Sequence, residues 1–425
     1  MHGVTATGNW HQLARGVSLP FDPALVVPEL VEVELPERRS EPVADIRSAA
    51  EAAVVQRLGS AIGPGTTVAV GAGSRGLTGR VDLVAGAVAG VRRLGGTPFV
   101  VPAMGSHGGG TAAGQREVLA GYGITEASVG AEVRSTMETV EVARTPSGMP
   151  LFLDRHAAGA DRILPVNRVK PHTCFVGPIE SGLTKMAVVG FGKQPGAAQI
   201  HSCGPVDMRD RLLDGIAALR ATGRLGGGLA SVESGAGAVV RVDALDACEI
   251  GSAAEEELTS IAKGFVPPLP FATIDVLVVE RIGKDISGVG IDPNVTGRYR
   301  IHGLPDATTP SVAAVVALGL TPDSHGNAMG LGLVDFIPAA LANVVDWDAF
   351  WFNAFTAGPA GVQRAKVPMI LPDDDSAIRA AVAMCGQPAG TVVRMVRVRS
   401  TLHLSQIWVS APLLAELPSD AVVHR

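Results

Sequence analysis

Aromatic residues make up only 4% of this 425-residue chain, cysteines number four, and like charges never gather in a run longer than three. Each shortage excludes something. With a net charge of −6 and no basic stretch interleaved with aromatics, the chain lacks the footprint needed to displace phosphate counterions, so nucleic acid is not an expected partner. No uninterrupted apolar segment reaches the roughly 18 residues of a membrane span. The opening MHGVTATGNWHQLARG has no charged start followed by an apolar core, so no signal peptide is expected and the cytoplasm is the expected compartment. Cys174, Cys203, Cys248 and Cys385 show no CxxC spacing, which argues against a zinc ribbon or iron–sulfur cluster and for thiols in a reducing environment. Cys174 and Cys203 each follow a notable histidine, which leaves a redox or ligand role open. The zinc-protease pattern HExxH is absent as well.

What the chain has is apolar substance and glycine. A hydrophobic fraction of 47% against 18% charged residues supplies a generous core and excludes disorder. The length allows two domains. Thr66-Val70, Phe99-Val101 and Ile163-Val166 read as buried strands; Val81, Val84, Val88 and Val91 recur at helical spacing despite Gly86 and Gly90. Met208, Leu212, Ile216 and Leu219 mark another amphipathic helix, and Arg116-Leu119 belongs to a helix after the second strand. Three prolines within Gly264-Pro270 can continue neither a helix nor a central strand and make that segment the linker. Beyond it, Ile274-Val279 and Val312-Leu318 read as strands, Phe336-Phe355 as a long helical region, Ser376-Met384 as a helix, and Val392-Val398 and His403-Val409 as alternating strands. The reading is therefore two α/β domains with mainly parallel sheets, residues 1–265 and 271–425, with the active site in the cleft between them.

Chemistry gathers on four residues. His107 stands in Met104-Gly105-Ser106-His107-Gly108-Gly109-Gly110, His172 in Lys170-Pro171-His172-Thr173-Cys174-Phe175, Lys185 in Gly182-Leu183-Thr184-Lys185, and His201 after Gln199-Ile200. A histidine among glycines has an exposed ring and a pliable backbone, and near-neutral imidazoles beside a lysine suit acid/base work around a metal or cofactor. Arg75, His107 and His172 all follow strands closely, where ligands bind in parallel sheets. Taken singly, each has a plainer reading: His107 as a surface-loop residue, His172 as a turn residue packed by Pro171, His201 as a cap late in a helix.

Gly71-Ala72-Gly73-Ser74-Arg75-Gly76 matches GxGxxG between a strand and a helix. It lacks the acidic residue at the end of the next strand that would grip a ribose, since that strand ends Val101-Pro102-Ala103-Met104-Gly105. Arg75 would crowd a pyrophosphate but suits a single phosphate or a carboxylate. A structural turn, an oxyanion-binding loop and an NAD-type oxidoreductase all remain as readings of this segment.

The order His107, His172, Lys185, His201, together with Gly73-Ser74-Arg75, resembles the nickel-dependent lactate racemase family, most clearly over residues 66–205. That resemblance implies a racemase or epimerase of a 2-hydroxy acid that uses a nickel-pincer nucleotide, a pyridinium bisthiocarboxylate mononucleotide. By the same token Lys185 would hold the cofactor covalently and His201 would ligate nickel. His107 and His172 would alternate as acid and base, and Gly73, Ser74 and Arg75 would contact cofactor or substrate. The implied chemistry is reversible hydride transfer through a planar keto acid, with the cofactor supplied by its own biosynthetic enzymes. The chain departs from the family at Ala72, where an acid is usual, and around Pro178-Ile179-Glu180, a stretch the lactate enzymes lack. It departs again at Asp292-Arg300, where Gly297 and arginines replace glutamine and lysine. Lys284, Asn294, Arg298 and Arg300 are the substrate candidates there, and a substrate other than lactate is expected. A non-catalytic relative that carries the cofactor or a metabolite is the third reading. A symmetric dimer is expected only from the general habit of enzymes.

Overall fold

The computed structural model describes residues 15–424 apart from 37, 39, 74–77, 203, 236 and 267. The chain divides into two compact units, one of residues 38–266 and the other of residues up to 37 together with those from 267 onward. The second boundary falls inside the proline-rich segment expected to be a linker. The first was not anticipated. Residues 30–34 fall within the bounds expected for the first domain, yet they form a strand, β1 (Leu30–Glu34), that pairs antiparallel with His403–Ser410 of the C-terminal sheet, Val31 opposite Val409.

The 38–266 unit begins with α1 (Ile46–Arg57), capped by Asp45 through the Ser48 amide. There follow β2 (Thr67–Ala72), α2 (Arg80–Arg93), β3 (Thr97–Pro102), α3 (Ala112–Gly121), the hairpin β4 (Thr139–Arg144) and β5 (Pro150–Asp154), and β6 (Arg162–Arg168). After β6 come α4 (Lys193–His201), α5 (Pro205–Ala221), β7 (Gly228–Glu233), β8 (Val239–Leu245) and α6 (Ala253–Lys263). Five strands form one sheet in the order β3-β2-β6-β7-β8, parallel except for the β7–β8 pair. Pleating sends alternate residues to opposite faces. Val68, Val70, Val100 and Leu164 join the core under α1 and α2, while Ala69, Phe99, Val101 and Ile163 join the core containing Leu183, Met186, Leu212 and Ile216. Gly86 and Gly90 lower the helix propensity of α2 for a packing reason. A Cβ on Gly86 would lie 2.4 Å from the Arg47 carbonyl oxygen, and one on Gly90 would lie 2.7 Å from Val54 Cβ, so α1 could not pack as closely.

The other unit contains β9 (Thr273–Val279), β10 (Ser311–Ala317), β11 (Phe336–Pro338), α7 (Trp347–Thr356), β12 (Met369–Leu371), α8 (Asp374–Met384), β13 (Met395–Ser400), β14 (His403–Ser410) and β15 (Val422–His424). With β1 they form an eight-stranded sheet ordered β12-β11-β10-β9-β13-β14-β1-β15. It is parallel from β12 to β13 and antiparallel beyond. Both units are thus α/β with mainly parallel pairing, as expected. The region read as one long helix over Phe336-Phe355 is instead the buried strand β11, a single helical turn at Ala339–Ala342, and α7. A short apolar run does not distinguish a buried strand from a helix, and the parallel partners β10 and β12 claim it for the sheet. Among the described residues no helix is long and apolar enough to cross a membrane.

Candidate active site

In the five-stranded sheet the chain runs from β2 to β3 on one side and returns to β6 on the other. A crevice therefore opens at the carboxyl ends of these strands, where parallel sheets bind ligands. A cavity of about 190 Å³ lies there, and its lining includes Gly73, Arg80, His107, His172, Lys185 and His201. Every lining residue belongs to the 38–266 unit. A larger open depression of about 620 Å³ sits at the opposite strand ends, near Thr67 and Thr97, among exposed pairs such as Arg155 with Glu138. It holds none of the four chemistry-bearing residues.

His107 is exposed, on a loop whose glycines carry φ values of 60° at Gly105 and 67° at Gly108. Those left-handed values favour glycine. Beneath this loop lies a buried polar chain. Gln115 Nε2 donates to the carbonyls of Gly105 (2.8 Å) and His107 (3.2 Å), and its Oε1 accepts from Lys193 Nζ (2.8 Å). Lys193 also reaches the Pro102 carbonyl (2.5 Å) and Asp154 Oδ2 (3.0 Å), and both charged side chains are fully buried. Burial pulls the Lys193 ammonium below its ordinary pKa, and Asp154 opposes that pull.

His172 is held from three sides. Its amide donates to Glu180 Oε2 (2.5 Å), its Nδ1 accepts from the Cys174 amide (3.0 Å), and its ring stacks on Phe175 with centroids 4.4 Å apart. Glu180, 1% exposed, also accepts from the Gly177 amide (2.9 Å) and pairs with Lys263 (2.7 Å). The loop is closed by backbone bonds between Lys170 and Ser181. The stretch Pro178-Ile179-Glu180, read in the sequence only as an insertion, therefore carries the carboxylate that seats His172. Glu180→Gln should remove that charge and leave an amide N–H facing a backbone donor. We expect a loss of about 1–3 kcal/mol and faster amide hydrogen exchange over residues 171–180, with α1 unchanged. Unaltered exchange in the loop would show that Glu180 does not hold it.

Because a backbone amide can only donate, Nδ1 of a neutral His172 bears no proton and Nε2 carries it. Nε2 contacts Lys185 Nζ, and in its uncharged form that amine would accept this proton and be nucleophilic. Lys185 ends a single helical turn, Leu183–Lys185, that leads into a π-turn over Met186–Gly190. The turn is tied by the fully buried Glu255, which accepts from the Thr184 amide (3.0 Å), Thr184 Oγ1 (2.6 Å) and the Gly251 amide (2.9 Å).

His201 is the last residue of α4, as expected of a late helical position, but its ring does no capping that the structure records. Its Nε2 is buried and has no hydrogen-bond partner among the described residues. Burial above all pushes its pKa down to about 4, and the charges of Lys185 and His107 add to this where those groups are protonated. The ring is therefore neutral at pH 7. Gly73 lines the cavity, whereas Ser74, Arg75 and Cys203 lie outside the described residues. Among the described residues no cluster of three histidine, cysteine or acidic side chains is arranged to hold a metal.

The substrate candidates of the other unit are placed differently. Arg298 is 3% exposed and directs its donors at Asp335 and at the carbonyls of Val312, Ala313 and Leu333, which makes it a clamp within that unit's frame. Lys284 donates to the Gly288 carbonyl and Asn353 (both 2.8 Å), Asn294 bonds Asp292 and Tyr299, and Arg300 is exposed beside Asp306. The sequence reading missed Arg80, Gln115, Glu180, Lys193 and Glu255. A lysine framed by glycine and glutamine after an apolar run, Phe191-Gly192-Lys193-Gln194, was the one visible hint.

No protein-family model matches the chain, and no curated protein matches it. Among solved structures it is similar to a protein from Thermotoga maritima, at 11% identity over 77% of this chain and 84% of that one, with a TM-score of 0.48. It is also similar to the lactate racemase apoprotein from Thermoanaerobacterium thermosaccharolyticum, at 13% identity over 82% of this chain and 99% of that one, with a TM-score of 0.47.

Proposed function

We propose that this chain is an isomerase that racemises or epimerises a 2-hydroxy acid with a nickel-pincer nucleotide held by Lys185. The observation that carries this reading is that His107, His172, Lys185 and His201, scattered in sequence, line one cavity at the carboxyl ends of parallel strands. The fit of the group can be judged from the donor set. His201 offers one neutral, buried ring nitrogen without a partner among the described residues, and no three-donor cluster accompanies it there. That suits a metal arriving with ligands of its own and wanting a single imidazole from the protein. The Lys185 amine, facing Nε2–H of His172, suits a covalent tether.

When bound, the cofactor supplies an acceptor for the hydride of the substrate's α-carbon. The chain's own share is to move the hydroxyl proton and keep the substrate oriented. His107 and His172 serve as the acid/base pair, imidazole being a side chain that can both take up and give up a proton near neutral pH. The seating of His172 by Glu180, Cys174 and Phe175, and of the His107 loop by Gln115 and Lys193, fixes where those proton acceptors stand.

The test uses protein co-expressed with the cofactor-making enzymes, because a host without them yields empty chain. Asparagine at His107, and separately at His172, should slow interconversion of the enantiomers by about 10²–10⁴-fold, followed by circular dichroism. His107→Asn should keep the bound nucleotide. A substrate labelled with deuterium at the α-carbon should retain the label in the product. Loss of the label to solvent would point to proton abstraction and overturn the hydride reading.

A further inference from the structure

We propose that Arg80, at the first turn of α2, anchors an oxyanion subsite of this cavity, taking a phosphate monoester or carboxylate group of the ligand. Arg80 is 6% exposed and lines the cavity. Its guanidinium lies 4.0 Å over the Tyr122 ring, and Nη1 makes one long bond, 3.4 Å, to the Gly73 carbonyl. Nη2 is buried with no hydrogen-bond partner among the described residues. An arginine this buried normally spends its donors on a carboxylate or carbonyls, as Arg298 does in the other unit. A buried arginine that lines a cavity and keeps one guanidinium nitrogen unpaired among the described residues is a site for an oxyanion acceptor.

The surroundings point the same way. The carboxylate whose charge acts on Arg80, Glu233, is already engaged by Arg168 and by the Thr78 amide (3.0 Å). The cavity lining adds Lys170, and no carboxylate among the described residues. α2 starts at Gly79 without a side-chain cap, so the positive end of a 14-residue helix lies at the same place. Even with its pKa lowered to about 10 by burial, Arg80 remains a cation at neutral pH. The inference deepens the function proposed above and rests on its choice of cavity, but it can fail separately: cofactor loading is read at Lys185, whereas this subsite is read with simple anions.

The experiment titrates inorganic phosphate, and in a parallel arm acetate, into the full-length, cofactor-free chain by calorimetry at constant ionic strength. Arg80→Met is compared with wild type, and Arg379→Met, whose partner Asp375 lies on the surface of α8, serves as the control. We expect phosphate affinity to fall at least tenfold in Arg80→Met and to stay unchanged in Arg379→Met. Loss confined to phosphate identifies a phosphate ester as the occupant, and loss confined to acetate identifies the substrate carboxylate. Equal affinity in wild type and Arg80→Met, or no binding of either anion to wild type, overturns the proposal. Should Arg80→Met fail to fold, wild-type crystals soaked in tungstate give the answer. Anomalous density beside the Arg80 guanidinium supports the subsite, and density only elsewhere removes it.

Discussion

Lys185→Ala is expected to abolish nucleotide loading completely. Wild-type chain co-expressed with the cofactor-making enzymes should show one added mass by intact-protein mass spectrometry, and the alanine variant none. The expectation follows from geometry rather than from charge. Lys185 sits on a turn tied at its start by the buried Glu255, and its amine faces the proton-bearing nitrogen of His172. A lysine placed to accept a hydrogen bond is a nucleophile, not a counter-ion. Lys185→Arg should therefore fail as fully as alanine, because a guanidinium stays protonated and offers no nucleophilic amine. If either variant retains the added mass, Lys185 is not the tether. If wild type gains no mass while a lactate racemase loads in the same host, the cofactor assignment itself falls.

Lys193→Met is expected to produce the largest loss of stability of any single change considered. Its ammonium and the Asp154 carboxylate are both fully buried, 3.0 Å apart, so removing one leaves the other uncompensated in a low-dielectric interior. Breaking such a pair costs about 3–5 kcal/mol, a large share of a typical total of about 5–15 kcal/mol. For a unit of this size that corresponds to a melting temperature lower by about 6–20 °C. The double variant Lys193→Met, Asp154→Asn should recover much of the loss, because it removes the stranded charge as well. Scanning calorimetry of the three proteins decides the matter. A single variant melting within about 2 °C of wild type would show that the pair contributes little. The backbone of Lys193, at φ 52°, is a strained conformation for a residue with a Cβ. Its triple engagement with Pro102, Gln115 and Asp154 is what holds it there.

Much of this site was legible because its residues announce themselves locally. A histidine flanked by glycines, a lysine after Gly-Leu-Thr, and strand signals just before each loop are one-dimensional patterns. The same patterns located β2, β3, β6 and β9, since buried parallel strands are short runs of branched apolar residues bounded by turns. The partners that position the site were not legible. Glu180 was read only as part of an insertion, and Glu255 drew no reading at all. Arg80, one residue before the helical valine pattern, drew none either. Nothing in their own neighbourhoods distinguishes a buried, fully bonded carboxylate from a solvated one.

By itself the sequence determined the alternation of strands and helices, the proline break that separates the units, and the identities of the four residues on which the chemistry is proposed to rest. These are set by side-chain type and spacing within a few residues. The tertiary structure decided that β1 completes the C-terminal sheet, that Phe336-Pro338 is a strand, and that Arg298 is a clamp. It also decided which charges stand behind His107 and His172. Those outcomes depend on hydrogen-bond partners far apart in the chain, and a buried polar group acquires its role only from the atoms that satisfy it.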